Sequence, residues 1–221
     1  MSLKENIANT KSKIESAAKR CGRNPQDITL ICVSKTIDAQ TINEAFDLGE
    51  HVFGENRPQE FTQKYPVVNP NAKWHLIGHL QTNKVKYVVG KVSLIHSVDS
   101  LHLAEEIDKQ AKKAGAVQDI LLEVNISGEE SKYGLTTEEI PTIIKEIRGM
   151  ENLCFKGFMT MAPLLASPEE IRNVFSRAKK LFDAHKADGA QILSMGMSND
   201  FEIAIEEGAT HVRVGRAIFK A

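Results

Sequence analysis

Ile28-Thr-Leu-Ile-Cys-Val-Ser-Lys-Thr36 is an apolar, β-branched run that ends in a lysine. β-Branched residues suit a pleated, packed surface, and a short apolar run bounded by polar residues reads as a buried strand, here 28–34. Working outward, the pattern returns near 51–54, 73–77, 92–96, 119–125, 153–159, 191–195 and 210–214. Between these runs apolar residues take helical spacing, near 38–48, 56–64, 82–89, 100–114, 136–148, 168–185 and 199–207, and an amphipathic segment over 3–20 comes first. Gly49, Gly115 and Gly208 stand at helix ends, where a left-handed cap is wanted. Strands that alternate with helices must pair in parallel, and eight of them close a (β/α)8 barrel. The expectation is an α/β protein: a single TIM-barrel domain over 1–221 with an extra N-terminal helix. A doubly wound open sheet is the alternative. Against it, no GxGxxG follows the first strand, and polar residues recur at the C-terminal ends of many strands.

The formal net charge of -1 gives no electrostatic footprint for nucleic acid or a membrane surface. No stretch approaches the length of a membrane span, and the polar N-terminus has no secretory h-region. Cys21, Cys32 and Cys154 show no CxxC spacing and read as reduced thiols of a cytoplasmic protein, with Cys32 and Cys154 as small core residues. His75 and His79 are four apart, but on a strand followed by a turn, which is no metal pair. No metal site is expected.

The strand ends carry the chemistry. In order they read Ser34-Lys-Thr36, Gly54-Glu-Asn56, Ile77 to Lys84, His96-Ser97, Asn125, Met159-Thr160, Ser194 to Asp200 and Gly215-Arg216. A barrel gathers all of these at one mouth. Lys35 is either a strand-end lysine that reaches solvent or a carboxylate, or a desolvated amine able to form a Schiff base with a carbonyl cofactor. Gly196-Met-Ser198 and Val214-Gly-Arg216 lie after the last two strands, where such barrels bind phosphate on free N–H groups. Capping is the competing explanation, with Ser198 or Asn199 as N-cap and Asn199 and Glu202 as a capping box. Arg213 alternates with Val212 and Val214, so one strand face carries an arginine. Facing the interior, it would meet a carboxylate or the ring nitrogen of a bound pyridine. Gly128 to Gly134 reads as a polar loop, either a lid or substrate rim or a plain surface loop.

Several long segments resemble the YggS/PROSC family, the pyridoxal phosphate homeostasis proteins related to the N-terminal barrel of alanine racemase. They are Val33-Ser-Lys-Thr36, Phe53-Gly-Glu-Asn56, Trp74 to Lys84, Asn125 to Lys132, Gly157-Phe-Met-Thr-Met161, Ser194-Met-Gly-Met-Ser198 and Val212 to Phe219. The resemblance covers essentially the whole chain. It implies that Lys35 forms a Schiff base with pyridoxal 5'-phosphate and that Asn56 sits beside the ring. It also implies that Arg213 faces the pyridine nitrogen, and that Ser198 with the amides of Gly215 and Arg216 holds the phosphate. Pro58 departs from the family pattern and should stiffen the start of its helix. The C-terminal Ile218-Phe-Lys-Ala221 lacks an expected glycine and short tail.

The function expected is cofactor homeostasis without robust turnover, since the related racemase needs a second domain and this chain ends with the barrel. Arg213 would also weaken the cofactor as an electron sink. The implied partners are the small-molecule cofactor and, transiently, pyridoxal-phosphate-dependent apoenzymes, with the protein a monomer. The alternative is an amino-acid racemase-like enzyme using Lys35 with His79 or Tyr133. A Schiff-base aldolase of the same barrel class is a third reading.

Overall fold

Alternation of inward and outward residues along each strand builds two separate cores. The computed structural model describes residues 2–129 and 133–220. Its strands are β1 (Thr29–Val33), β2 (Val52–Glu55), β3 (Lys73–Leu76), β4 (Leu94–Val98), β5 (Gln118–Glu123), β6 (Leu153–Met159), β7 (Ile192–Met197) and β8 (His211–Val214). All pair in parallel, and β8 returns to β1, closing the barrel. Helices α1 (Leu3–Arg20), α2 (Ala39–Asp47), α3 (Pro58–Lys64), α4 (Leu101–Ala114), α5 (Ile140–Ile147), α6 (Pro168–Ala184), α7 (Phe201–Glu206) and α8 (Arg216–Phe219) surround it. The expected TIM barrel with an extra N-terminal helix is therefore the observed fold.

The outer core lies between strands and helices, where Cys32, Phe53, Trp74, Leu76, Ile95, Leu122, Phe158, Leu193, Val212 and Val214 meet buried helix residues. The inner core is small: Leu94, Leu121 and Met159, with Ile192 against them. Residues on the same inward face as these include Ile31, His75, His96, Glu123, Ser194 and Arg213, so an unusually polar layer sits above the apolar plug. Gly157 marks the tightest strand contact. It takes φ +138° beside a register shift between β5 and β6, and a Cβ there would lie 2.0 Å from the Ile192 carbonyl oxygen. Only glycine fits such a close backbone approach.

α1 begins at a capping box formed by Ser2 and Glu5 and buries Ile7, Ile14, Ala17 and Ala18. It packs on α7 and α8 rather than following a strand. The Asn6 amide donates to the Ile218 carbonyl at 3.0 Å, and Arg20 pairs with Glu202 and Glu206.

Four local expectations are corrected. Residues 82–87 form a 3-10 helix rather than an α-helix, with no side-chain cap from Gln81 at its start. The helix expected from 136 begins at Ile140, because Glu139 turns back to accept from the Thr136 N–H at 2.8 Å. The helix expected from 199 begins at Phe201, and Asn199 with Glu202 forms no capping box; Asp200 is the N-cap residue. Cys32 is buried as expected, but Cys154 is only half-buried. Pro58 occupies the first turn of α3, where its missing N–H costs nothing, and Gly49, Gly115 and Gly208 all take positive φ.

Candidate functional site

Lys35 follows β1 in a strained turn. It continues the inward alternation of Ile31 and Val33, yet it is exposed rather than desolvated, and has no hydrogen bond or ion pair among the described residues. Thr36 takes φ +63°, a left-handed conformation rare for a β-branched residue. Such strain survives only where neighbours over-determine it. Here the Thr36 N–H donates to Glu60 at 2.9 Å, Ile37 donates to the Ser34 carbonyl at 3.0 Å, and Lys64 donates to that same carbonyl at 2.9 Å. Beneath them the Ser34 hydroxyl and Lys64 both donate to Glu55, at 2.6 and 2.8 Å. Burial raises the Glu55 pKa above its ordinary value against the lowering effect of Lys64 and Ser34. The turn is thus clamped by α3, leaving the lysine side chain free.

Asn56 follows β2 and continues its inward face. Its Oδ1 is buried without a hydrogen-bond partner among the described residues. Its backbone presses on Gly78, where a Cβ would sit 2.4 Å from the Asn56 carbonyl oxygen. A cavity of about 490 Å³ opens beside it, lined by Arg57, Glu60, His79 and Lys84 among others.

Arg213 lies inside the barrel and is 4% exposed. It donates from Nη1 to the Ser194 hydroxyl at 2.6 Å and from Nη2 to the Thr160 carbonyl at 3.0 Å. No carboxylate lies within ion-pair distance among the described residues. Burial lowers its pKa to about 10, and the more distant Glu123 and Asp200 oppose that fall. Glu123 itself is pushed up to about 7 by burial and by Asp99, with Arg213 pulling it down.

After β7 and β8, Ser198 and Gly215 face each other, the Gly215 N–H donating to the Ser198 hydroxyl at 3.4 Å. Arg216 is exposed and donates to Asn199 at 3.3 Å. The two loops therefore meet at one edge of the mouth, as the sequence implied, although Ser198 precedes its helix instead of capping it. On the opposite side His79 Nδ1 is 3.2 Å from Asp99, and the Tyr133 ring stacks on His79 with centroids 4.2 Å apart. Asn125 organises its own loop, accepting from Ser127 and Gly128 and donating to the Glu129 carbonyl. Of the Gly128 to Gly134 segment, 130–132 lie outside the described residues.

This geometry offers a free amine, a buried donor-only guanidinium and two facing loops after β7 and β8. Residues 4–221 match the family model for the alanine racemase N-terminal domain. A pyridoxal phosphate homeostasis protein of Aquifex aeolicus is 43% identical over 99% of this chain and 98% of its own length. The chain belongs to the pyridoxal phosphate homeostasis protein family. Its Escherichia coli K12 relative is 36% identical, covering 99% of this chain and 96% of the relative. PipY of Synechococcus elongatus, solved with PLP bound, superposes with a TM-score of 0.87 at 32% identity, over 99% of this chain and 100% of that one. Alanine racemase of Clostridium difficile, at 17% identity and a TM-score of 0.77, shares the fold over 98% of this chain and 56% of its own.

Within this homeostasis-family barrel, sequence reasoning does not single out two buried polar residues of the inward face, His75 and Glu123. By sequence alone His75 counts only as a metal-ligand candidate, and Glu123 disappears into an apolar run. The signal for both was a polar residue on the inward face of a strand whose neighbours are apolar.

Proposed function

We propose that this chain binds pyridoxal 5'-phosphate at the mouth of its barrel and serves homeostasis of that cofactor, holding it as a Schiff base on Lys35 without robust turnover. The observation that carries this reading is Arg213: a buried guanidinium bonded only to neutral acceptors, with no carboxylate in ion-pair reach among the described residues. Burying a cation in this way is costly unless a strong acceptor completes its shell, and an unprotonated pyridine nitrogen is such an acceptor. Arginine cannot give up its proton. The orphaned Asn56 Oδ1 fits a ligand lying beside it, and the solvent-facing Lys35 fits an amine that must admit an aldehyde.

In this reading Lys35 holds the cofactor covalently, Asn56 lies beside the ring, and Arg213 meets the ring nitrogen. Ser198, with the Gly215 and Arg216 amides, holds the phosphate. When bound, the cofactor supplies an electron sink for an attached amine. Arg213 keeps that sink weak by donating to the ring nitrogen without protonating it, which favours carriage over turnover. The whole chain, 1–221, acts as one cofactor-binding domain, a cytoplasmic monomer that meets pyridoxal-phosphate-dependent apoenzymes transiently. Its three free cysteines fit a reducing compartment.

A racemase-like activity is the second reading, favoured by His79, Asp99 and Tyr133 standing together at the mouth. The deciding experiment is the visible spectrum of the wild type and Lys35→Ala with added pyridoxal phosphate, before and after borohydride. A yellow band present in the wild type, absent in the variant and locked by reduction supports the reading. A wild type left colourless and unmodified refutes it. Exchange of solvent deuterium into Cα of a panel of amino acids at enzymatic rates would favour the racemase.

A further inference from the structure

Below Arg213 runs a buried hydrogen-bond chain that spans the barrel. Ser194 Oγ is 3.0 Å from His96 Nδ1, and His96 Nε2 is 3.0 Å from His75 Nδ1. The direction of every proton in it follows from the arginine. Arg213 Nη1 can only donate, so Ser194 Oγ accepts there and has its own hydrogen to place. The acceptor within reach is His96 Nδ1. Were His96 protonated at Nδ1 instead, the Ser194 hydroxyl hydrogen would be left without an acceptor among the described residues, a buried loss. His96 therefore carries its proton on Nε2 and donates to His75 Nδ1, which places the His75 proton on Nε2 as well. Burial keeps both rings neutral: the His75 pKa falls to about 3, with His211 and Lys73 adding to the effect, and that of His96 falls well below the ordinary value.

Each link then turns its negative end toward the guanidinium. Ser194 and Thr160 fix two of its nitrogens and so set its plane. Glu123 and Asp200, from β5 and the β7–α7 loop, are the carboxyls toward which a loosened guanidinium would swing. We propose that Ser194, His96 and His75 are positioning residues that hold Arg213 as a fixed hydrogen-bond donor to the ring nitrogen of bound pyridoxal phosphate. This rests on the function proposed above and adds to it the part of the barrel that fixes the donor.

Two measurements test it. The first is ¹⁵N NMR of the histidine rings in the protein without cofactor. Neutral His75 and His96, each protonated at Nε2, are expected; a charged His96, or one protonated at Nδ1, would overturn the chain whatever the cofactor does. The second is pyridoxal phosphate titration followed by the visible band. Ser194→Ala and His96→Leu should shift the band maximum and weaken binding about tenfold, the scale of a hydrogen bond to a charged group. His96→Asn can still accept from Ser194 and should restore wild-type band and affinity. Ser194→Ala and His96→Leu indistinguishable from a banded wild type would overturn the positioning role alone. A wild type that never develops the band overturns the cofactor reading and this role with it.

Discussion

Lowering the pH from 7 to 5 should cost this protein about 3 kcal/mol of folding stability. The loss comes from the barrel interior. Burial depresses the pKa of His75 to about 3, that of His211 to about 4 and that of His96 well below 6.5. In the unfolded chain all three take up protons near the ordinary 6.5, so the unfolded state binds more protons as the pH falls and stability drops. Each such group contributes up to about 1.4 kcal/mol per pH unit. Glu123 has the opposite sign: raised to about 7, it is protonated in the folded state before the unfolded one and returns roughly one such contribution. Glu55 and Asp200, also raised by burial, act with Glu123 toward the lower end. Three losses against one gain, only partly developed between pH 7 and 6, give the figure of about 3 kcal/mol, a large share of a typical domain's 5–15 kcal/mol. Urea-unfolding midpoints at constant ionic strength measure it, and the midpoint should fall by about 1 M. A midpoint at pH 5 equal to or above that at pH 7 would refute the neutral-histidine interior. In His75→Asn the pH-dependent loss should shrink by about 1.5–2 kcal/mol.

Other outcomes follow from single contacts. Lys35→Ala should leave Tm within about 1 °C of the wild type, because an exposed side chain with no partner among the described residues adds little to stability; a larger fall in calorimetry would mean that the lysine is structural. Gly157→Ala forces a Cβ to 2.0 Å from the Ile192 oxygen at φ +138°, and should lower Tm by about 10 °C or leave the protein insoluble. Ser167→Ala removes the capping box that starts α6 and should cost about 1 kcal/mol, read as a small drop in the urea midpoint with unchanged slope.

The sequence made the barrel legible because each strand is a short apolar run and each connection a helical one, so element types survive errors of a residue or two at the ends. It failed where a side chain rewrote a local boundary: Glu139 capping Thr136, or Asp200 taking the N-cap position from Ser198 and Asn199. Lys35 and Arg213 could be picked out singly, since a charge on an apolar strand is conspicuous. The histidine chain could not. His75 and His96 are 21 residues apart and His96 and Ser194 are 98 apart, so their contact is set by strand register and barrel closure. Nor could local pattern reveal that Lys35 stands exposed, because that depends on α3 holding Thr36 in its left-handed turn.

The docking of α1 has a consequence for synthesis. The Asn6 bond to Ile218 joins residues 212 apart, and Arg20 reaches α7 across a gap of 182 or more. The helix is made 182–212 residues before the partners it packs on. At about 5–20 residues per second that interval is roughly 10–40 s, during which the apolar stripe of Ile7 and Ile14 has no native surface to cover it. The capping box at Ser2 and Glu5 can stabilise the helix by itself in that time, but the last β/α unit must emerge before the N-terminal helix can close the ring. Ribosome-bound chains lacking α7 and α8 should therefore be more readily cleaved within α1 than released ones.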